Sequence, residues 1–401
     1  MADCKIAFAS LFSFNFFFNC DNTMPRAIFT SGLRTPFGRS FKGAYRDIRA
    51  DDLSVEILNA QASRFPELWN SGPEDLIVGC AYPEHEQGYN LGRLAALGAG
   101  LEVPGMVVNR LCASSLEAVA VAAARVRASL GTKFLTAGIE SMSRIPRRGA
   151  NFSESAKIKA VNQHAYIPNG QTAEEVALKY PQFDRVAQED FAERSHTLAH
   201  QAHQSGAYSE QLHPYIIRAD EFVRYPVNRE KIASLPPAFS EGGTVTAATS
   251  SPLTDGATSG WVLEAAYAKS LGIAAGLEIV DVQYGHVSPE LMGLGPVPAT
   301  QKLFERNCIT AKEIAAFEIN EAFAIQVLAS VADLEIPMER VNTWGGALAL
   351  GHPLGASGLR LVMTLHDRLK QRGEVGALGV ATLCVGGGQG MSVLFRWIQA
   401  S

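Results

Sequence analysis

The same run of elements occurs twice in this chain, and that recurrence narrows the fold more than any other feature. In the first copy a β-like stretch, 106-MVVN-109, leads through a turn holding Cys112 into the Ala-rich 113-ASSLEAVAVAAARVRASLG-131 and then 133-KFLTAGIESM-142. In the second, a Gly-rich turn holding His352 precedes 356-ASGLRLVMTLHDRLKQRG-373 and 376-GALGVATLC-384. Short apolar runs alternating with longer amphipathic stretches mark βαβ units on a buried, partly parallel sheet. The recurrence predicts a duplicated α/β architecture.

The texture between the copies is different, richer in Pro, Gln, His, Tyr and charge, with a helix-like 186-VAQEDFAERSHTLAHQAHQSG-206 closed by Gly206. It reads as an insertion that covers a site and does not join the sheet. The chain therefore divides into an N-terminal half over 24–142, completed by about 254–275, an inserted segment over 143–253, and a C-terminal half over 276–401. Residues 1–23, Phe-rich and interrupted by Ser and Asn, read as an extension outside the fold, since a strand-like run starts right after Met24.

With 401 residues and 47% hydrophobic content the chain can bury a large core. A net charge of −5 without a long basic run gives no footprint for nucleic acid or an anionic membrane, and no segment is long and apolar enough to span one. Six scattered cysteines without a C-x-x-C pair argue against a disulfide framework or a Cys-rich zinc site. They fit a reducing compartment, the cytoplasm first, with an organelle left open.

Several residues carry chemistry or a blander role. Cys112 stands at a predicted helix start, where free N–H groups and the dipole lower a thiol pKa, or it is buried filler. His352 lies in 345-GGALALGHPLGASG-358, where glycines let the backbone approach another element or a ligand. Asn320 follows an apolar run in 317-FEINEAFA-324, as a helix cap or as a group at the carboxyl end of a strand. In 384-CVGGGQG-390 the glycines lead into the strand-like 391-MSVLFRWI-398, so a phosphate cradle, which needs a following helix, is disfavoured. His196, His200 and His203 share a helical face that reads as solvated and not as a metal site.

Together these segments resemble the thiolase family from about Met24 to the C-terminus. The blocks are 109-NRLCASSLEAV-119, 138-GIESMSRIP-146, 172-TAEEVA-177 with 190-DFAERSH-196, 243-GTVTAATSSPLTDGA-257, 292-MGLGPVPA-299, 320-NEAFA-324, 345-GGALALGHPLGASG-358 and 384-CVGGGQG-390. The resemblance implies two βαβαβαββ halves in a five-layered α-β-α-β-α core with an inserted loop domain. It implies an acyltransferase that cleaves 3-ketoacyl-CoA by thiolysis, as in fatty-acid β-oxidation, through an acyl-cysteine intermediate. The alternatives are a biosynthetic acetoacetyl-CoA enzyme and a non-catalytic CoA-thioester binder.

The roles implied by the resemblance are specific. Cys112 would be the acylated nucleophile, His352 its base, Asn320 the holder of an oxyanion-hole water, and Cys384 the acid/base at the acetyl-CoA α-carbon. The backbone N–H groups of Cys112 and Gly386 would form a second oxyanion hole. Ser251, Met292 and Phe323 would contact the CoA pantetheine and the acyl pocket. No permanently bound cofactor or metal is expected; coenzyme A is a substrate. A homodimer or homotetramer is implied, with room for association with other β-oxidation enzymes. The chain departs from the family pattern at Ser115, where glycine is usual and a side chain would crowd the turn, at Thr249, where Asn is usual, and at Asn169, often Met.

Overall fold

The structure, a computed structural model, describes residues 24–399. The extension expected over 1–23 lies outside the described residues. The N-terminal half supplies strands β1 (Ala27–Arg34), β2 (Gly38–Arg39), β3 (Leu76–Cys80), β4 (Gly105–Val108), β5 (Lys133–Ser141) and β6 (Thr254–Glu264). The C-terminal half supplies β7 (Ala275–His286), β8 (Ile314–Ile319), β9 (Leu378–Val385) and β10 (Gln389–Gln399). They hydrogen-bond in the order β4-β3-β5-β6-β1-β7-β10-β9-β8, with β2 beside β6.

Read outward from the β1/β7 seam, the halves match: β1-β6-β5-β3-β4 against β7-β10-β9-β8. Where the first half adds β4 parallel to β3, the second adds only a parallel bridge from Val341 to Phe317 of β8. The seam is narrow, pairing Ile28 with Glu278 and Phe29 with Leu277. So short a junction lets the halves turn toward one another.

The longer helices are α1 (Ala50–Arg64), α2 (Leu91–Gly98), α3 (Ser114–Arg127), α4 (Asn169–Lys179) and α5 (Arg185–Gln204) of the inserted segment, α6 (Pro296–Asn307), α7 (Ala324–Asp333) and α8 (Leu354–Arg372). Helices α3 and α8 pack on each other and touch strands of both halves, which makes them the central layer. Their apolar side chains join Phe29, Ile279, Leu383 and Phe395 in one core cluster. On the outer faces, α1 and α2 cover the first half, and α6 and α7 the second. The result is the expected five layers.

A helix in the middle of such a stack must be apolar on every side, and α8 is buried at nearly every position. Its first turn also needs small residues. A Cβ on Gly355 would stand 2.3 Å from the Ile139 carbonyl oxygen, and one on Gly358 2.4 Å from the Leu116 nitrogen. Helix α3 ends at Arg127, short of the expected 131, because Ser129 takes φ +56° and the Leu130 N–H donates to the Arg125 carbonyl, closing a Schellman turn.

The segment 143–253 contributes no strand to the sheet. Helix α5 stops where expected, with Gly206 at φ +73°. Its histidine face is not solvated, contrary to the sequence expectation. His196 is buried and accepts from the Arg224 N–H, His200 stacks on Tyr225, and His203 reaches Asp220. Asp220 is itself held by Arg34 of β1. Polar spacing on α5 thus serves packing against the 208–225 segment, which the sequence alone gives no means to see. Among the described residues no three His, Cys, Asp or Glu side chains group as a metal site.

Candidate active site

The duplicated topology places the start of α3 and the start of α8 side by side, beside the carboxyl ends of β3, β5, β8 and β9. Cys112 lies in a short 3₁₀ turn, Leu111–Ala113, that enters α3. Leu111 is held at φ +44°, a strained angle for a branched side chain. Asn109 and Ser114 fix it: the Leu111 N–H donates to Asn109 Oδ1 at 2.8 Å, and Ser114 Oγ donates to the Leu111 carbonyl at 2.6 Å. The strain aims the buried thiol into a cavity rather than into the core.

Opposite it, β9 runs through Gly386–Gly388 straight into β10, as the sequence indicates for a loop followed by a strand. Gly387 and Gly388 both sit at φ +80°, so side chains there would be strained. Gly386 needs to be bare for another reason: a Cβ would meet Leu111 Cδ1 at 2.8 Å. That approach brings the Gly386 N–H to the Cys112 sulfur, which also receives its own backbone N–H. Two N–H donors converge where a thioester oxygen on Cys112 would develop charge.

His352 has a defined tautomer. Its Nδ1 lies 2.6 Å from Ser357 Oγ, and that hydroxyl spends its only proton on the Pro353 carbonyl at 2.8 Å. Ser357 therefore accepts from Nδ1–H, and Nε2 carries the lone pair. Nε2 in turn meets the amide Nδ2 of Asn320 at 3.2 Å. The backbone N–H of His352 donates to Thr254 Oγ1 at 2.9 Å. Asn320 is fully buried at the end of β8, with Oδ1 lacking a protein partner.

Burial dominates the electrostatics. It pushes the Cys112 thiol up to about 11, against the two N–H donors and with the Glu140 charge. It pushes His352 down to about 3, with Arg360 acting the same way. Cys384, with no exposed surface, is pushed up by burial and then by Cys112. The dipole argument for a lowered Cys112 pKa is thus overridden, because desolvation of a thiolate outweighs two hydrogen bonds. At neutral pH both thiols and the imidazole are uncharged, a base and two acids in the protonation states that proton transfer requires.

This makes a pH prediction. Alkylation of substrate-free Cys112 by iodoacetamide, followed by peptide mass spectrometry, should rise about tenfold per pH unit between about pH 7 and 10. A rate already level near neutrality would mean a thiolate–imidazolium pair and contradict the neutral resting state.

Cys112, His352, Cys384 and Gly386 all line one cavity of about 280 Å³, with Ser251, Met292, Phe323 and Asn169. The Ser251 N–H donates to the Ala322 carbonyl, and Phe323 packs edge-on against Phe239. Asn320 stands behind this lining, reaching it through His352. Ser115 does not crowd the turn: its hydroxyl accepts the Leu359 N–H at 2.9 Å and so ties α3 to α8. Thr249 closes a local turn through Thr246.

Sequence reasoning missed Ser357 and Glu140. Glu140, at the end of β5, accepts from the N–H groups of Ala81 and Gly355 and from Gln87, and it is pushed up to about 7 by burial. It staples the end of β3 to the start of α8. The 138-GIESMSRIP-146 block held that signal, but its partners lie far away in sequence.

Comparison with known proteins agrees with this geometry. The family model "Thiolase, N-terminal domain" matches residues 27–265 and "Thiolase, C-terminal domain" residues 274–397. The chain is 39% identical to a 3-ketoacyl-CoA thiolase of Shewanella loihica, over 93% of this chain and 100% of that protein. It is 36% identical to one of Bacillus subtilis over the same shares. An acetyl-CoA acetyltransferase of Bacillus anthracis superposes with a TM-score of 0.84 at 31% identity, covering 94% of this chain and 99% of that one. The dimeric peroxisomal thiolase of Saccharomyces cerevisiae gives 0.84 at 30%, covering 93% and 97%. With both halves matched, in a fold whose two Cys- and His-bearing turns meet at one cavity, this chain belongs to the thiolase family.

Proposed function

We propose that the chain is an acyltransferase that cleaves 3-ketoacyl-CoA with CoA, using Cys112 as the acyl carrier. The observation that carries this reading is the His352 tautomer fixed by Ser357, which leaves Nε2 as a base in a cavity shared with two thiols. Cys112 gives its proton to Nε2 as its sulfur bonds to the 3-keto carbon. The C2–C3 bond then breaks, its electron pair passing to C2, and the Cys384 thiol protonates that carbon to release acetyl-CoA. Incoming CoA gives its thiol proton to the Cys384 thiolate, and its sulfur attacks the acyl carbon. Cys112 leaves as thiolate and recovers its proton from His352.

The N–H groups of Gly386 and Cys112 would hold the acyl oxygen, and His352 with a water fixed by Asn320 the enolate oxygen. Ser251, Met292 and Phe323 would contact the pantetheine arm and acyl chain, with coenzyme A as substrate and no resident cofactor. The names of the curated relatives favour the degradative 3-ketoacyl-CoA reading over the acetoacetyl-CoA and non-catalytic alternatives. A homodimer fits the exposed edge of the sheet, where β4 is only half-buried, and the dimeric yeast neighbour. The cytoplasm is the proposed place of action; separately, no helix among the described residues is long and apolar enough to cross a membrane.

Mixing the protein with a 3-ketoacyl-CoA and CoA should remove the ketoacyl enolate absorbance, and brief exposure to the ketoacyl-CoA alone should leave an acyl group on the Cys112 peptide. Binding without turnover sinks the enzymatic reading; label on Cys384 alone reverses the two cysteine roles.

A further inference from the structure

The cavity has two apolar walls. Met292, Phe323, Cys384, Ala173 and partly buried Phe239 form one cluster. Cys112, Met142, Leu354 and Ala81, with Tyr82, form the other. Ser251, Met292 and Phe323, assigned above to the pantetheine arm and the acyl chain, stand on or beside the first wall, while the acyl group itself would be carried by Cys112 on the second. The second continues, a few residues past Met142, into a turn that puts Arg147 and Arg148 on the cavity lining.

The turn has a defined backbone. Arg148 is kept at φ +76° and Gly149 at φ +82°, and Glu84 anchors the turn by accepting the Ala150 N–H at 2.6 Å. Arg148 is partly committed, donating from Nη2 to the Tyr166 carbonyl and covering the Phe152 ring at 4.7 Å. Arg147 makes no hydrogen bond or ion pair with any described residue. The lining itself contains no Asp or Glu, and the Glu84 carboxylate lies against the Gly149–Ala150 backbone of the turn. Tyr82, which packs with Cys112 in the second cluster, and Arg147 both line the cavity.

We propose that Arg147, on a turn set by Arg148, is a subsite for an oxyanion carried by the acyl-CoA, and that its place on the Cys112 wall selects an acyl tail ending in a carboxylate. The inference rests on the thiolase reading above for which wall holds which part of the substrate. An exposed guanidinium without a protein partner, at a cavity lining that has no Asp or Glu, suits a planar carboxylate better than a methyl terminus. The other source of an oxyanion is a phosphate of CoA itself.

Binding, read by calorimetry, separates the two and does not depend on turnover. Adipoyl-CoA and hexanoyl-CoA differ only in the terminal carboxylate, and CoA and 3′-dephospho-CoA only in a phosphate. Dissociation constants for all four are compared between proteins with and without Arg147→Met, all carrying Cys112→Ala so that no thioester acylates the enzyme. The expected result is a preference for adipoyl-CoA that falls about tenfold or more in the variant and returns in Arg147→Lys. An unchanged tail preference with lost discrimination between CoA and 3′-dephospho-CoA would assign the oxyanion to CoA and overturn the tail selectivity. Equal ratios with and without Arg147→Met for both pairs would overturn the subsite. Thiolysis of 3-oxohexanoyl-CoA by the wild type reports separately on the thiolase reading.

Discussion

Cys112→Ala should lower kcat/KM for thiolysis by about four orders of magnitude or more, His352→Asn by a similar factor, and the double variant by little beyond either one. The reason is that in the proposed mechanism the two side chains perform one act: the sulfur would bond to carbon only as its proton moves to Nε2. With the thiol pushed up to about 11 and the imidazole down to about 3, neither group is charged at rest, so neither is useful alone. Removing the thiol leaves the base with nothing to deprotonate. Removing the base leaves a thiol ionised in roughly one molecule in ten thousand at neutral pH. Folding should survive, since Cys112→Ala deletes one small group from a position that already faces a cavity. Rate constants from initial-rate kinetics, with thermal melts as control, decide the matter. Multiplicative losses in the double variant would show that the two residues act in separate steps.

How much of this was legible in the sequence depends on whether the signal was local. The two turn–helix–strand units are written in consecutive residues, so the halves, the buried α3 and α8 and the strand after the glycines could all be read. The fifth strand position of the C-terminal half could not, because it has shrunk to one bridge at Val341 with no periodic run to mark it. Cys112 and His352 stood out as a thiol and an imidazole in turns that lead into helices, and Cys384 and Gly386 because a thiol at a strand end runs straight into glycines. Ser357 and Glu140 did not, since serine in a first helical turn and glutamate at a strand end are ordinary in isolation. Their roles exist only through Nδ1 of His352 and through Gly355, which approaches Glu140 from the other half. Ser115 and the α5 histidines show the opposite error, where a local rule predicted crowding or solvation and the neighbouring helix or loop supplied a partner.

Cys384→Ser should split the reaction in two. Acetyl-CoA should still acylate Cys112, whose proton goes to His352, while exchange of the acetyl α-protons with deuterated solvent should fall by about two to four orders of magnitude. Cys384 sits without exposed surface at the end of β9, and burial together with Cys112 holds it as a thiol. That is the state needed to protonate a leaving carbanion, and removing an α-proton is the same step reversed. A serine hydroxyl has a far higher pKa and would have to form an alkoxide in the same apolar cluster of Met292, Phe323 and Ile325. The substitution conserves shape, with an added cost of about 1–3 kcal/mol in stability if the new hydroxyl finds no partner, which a melt would register. The decisive readout is the ratio of acylation to exchange: both falling together would mean that Cys384 supports the site without carrying the proton, and unchanged exchange would place the acid on another group.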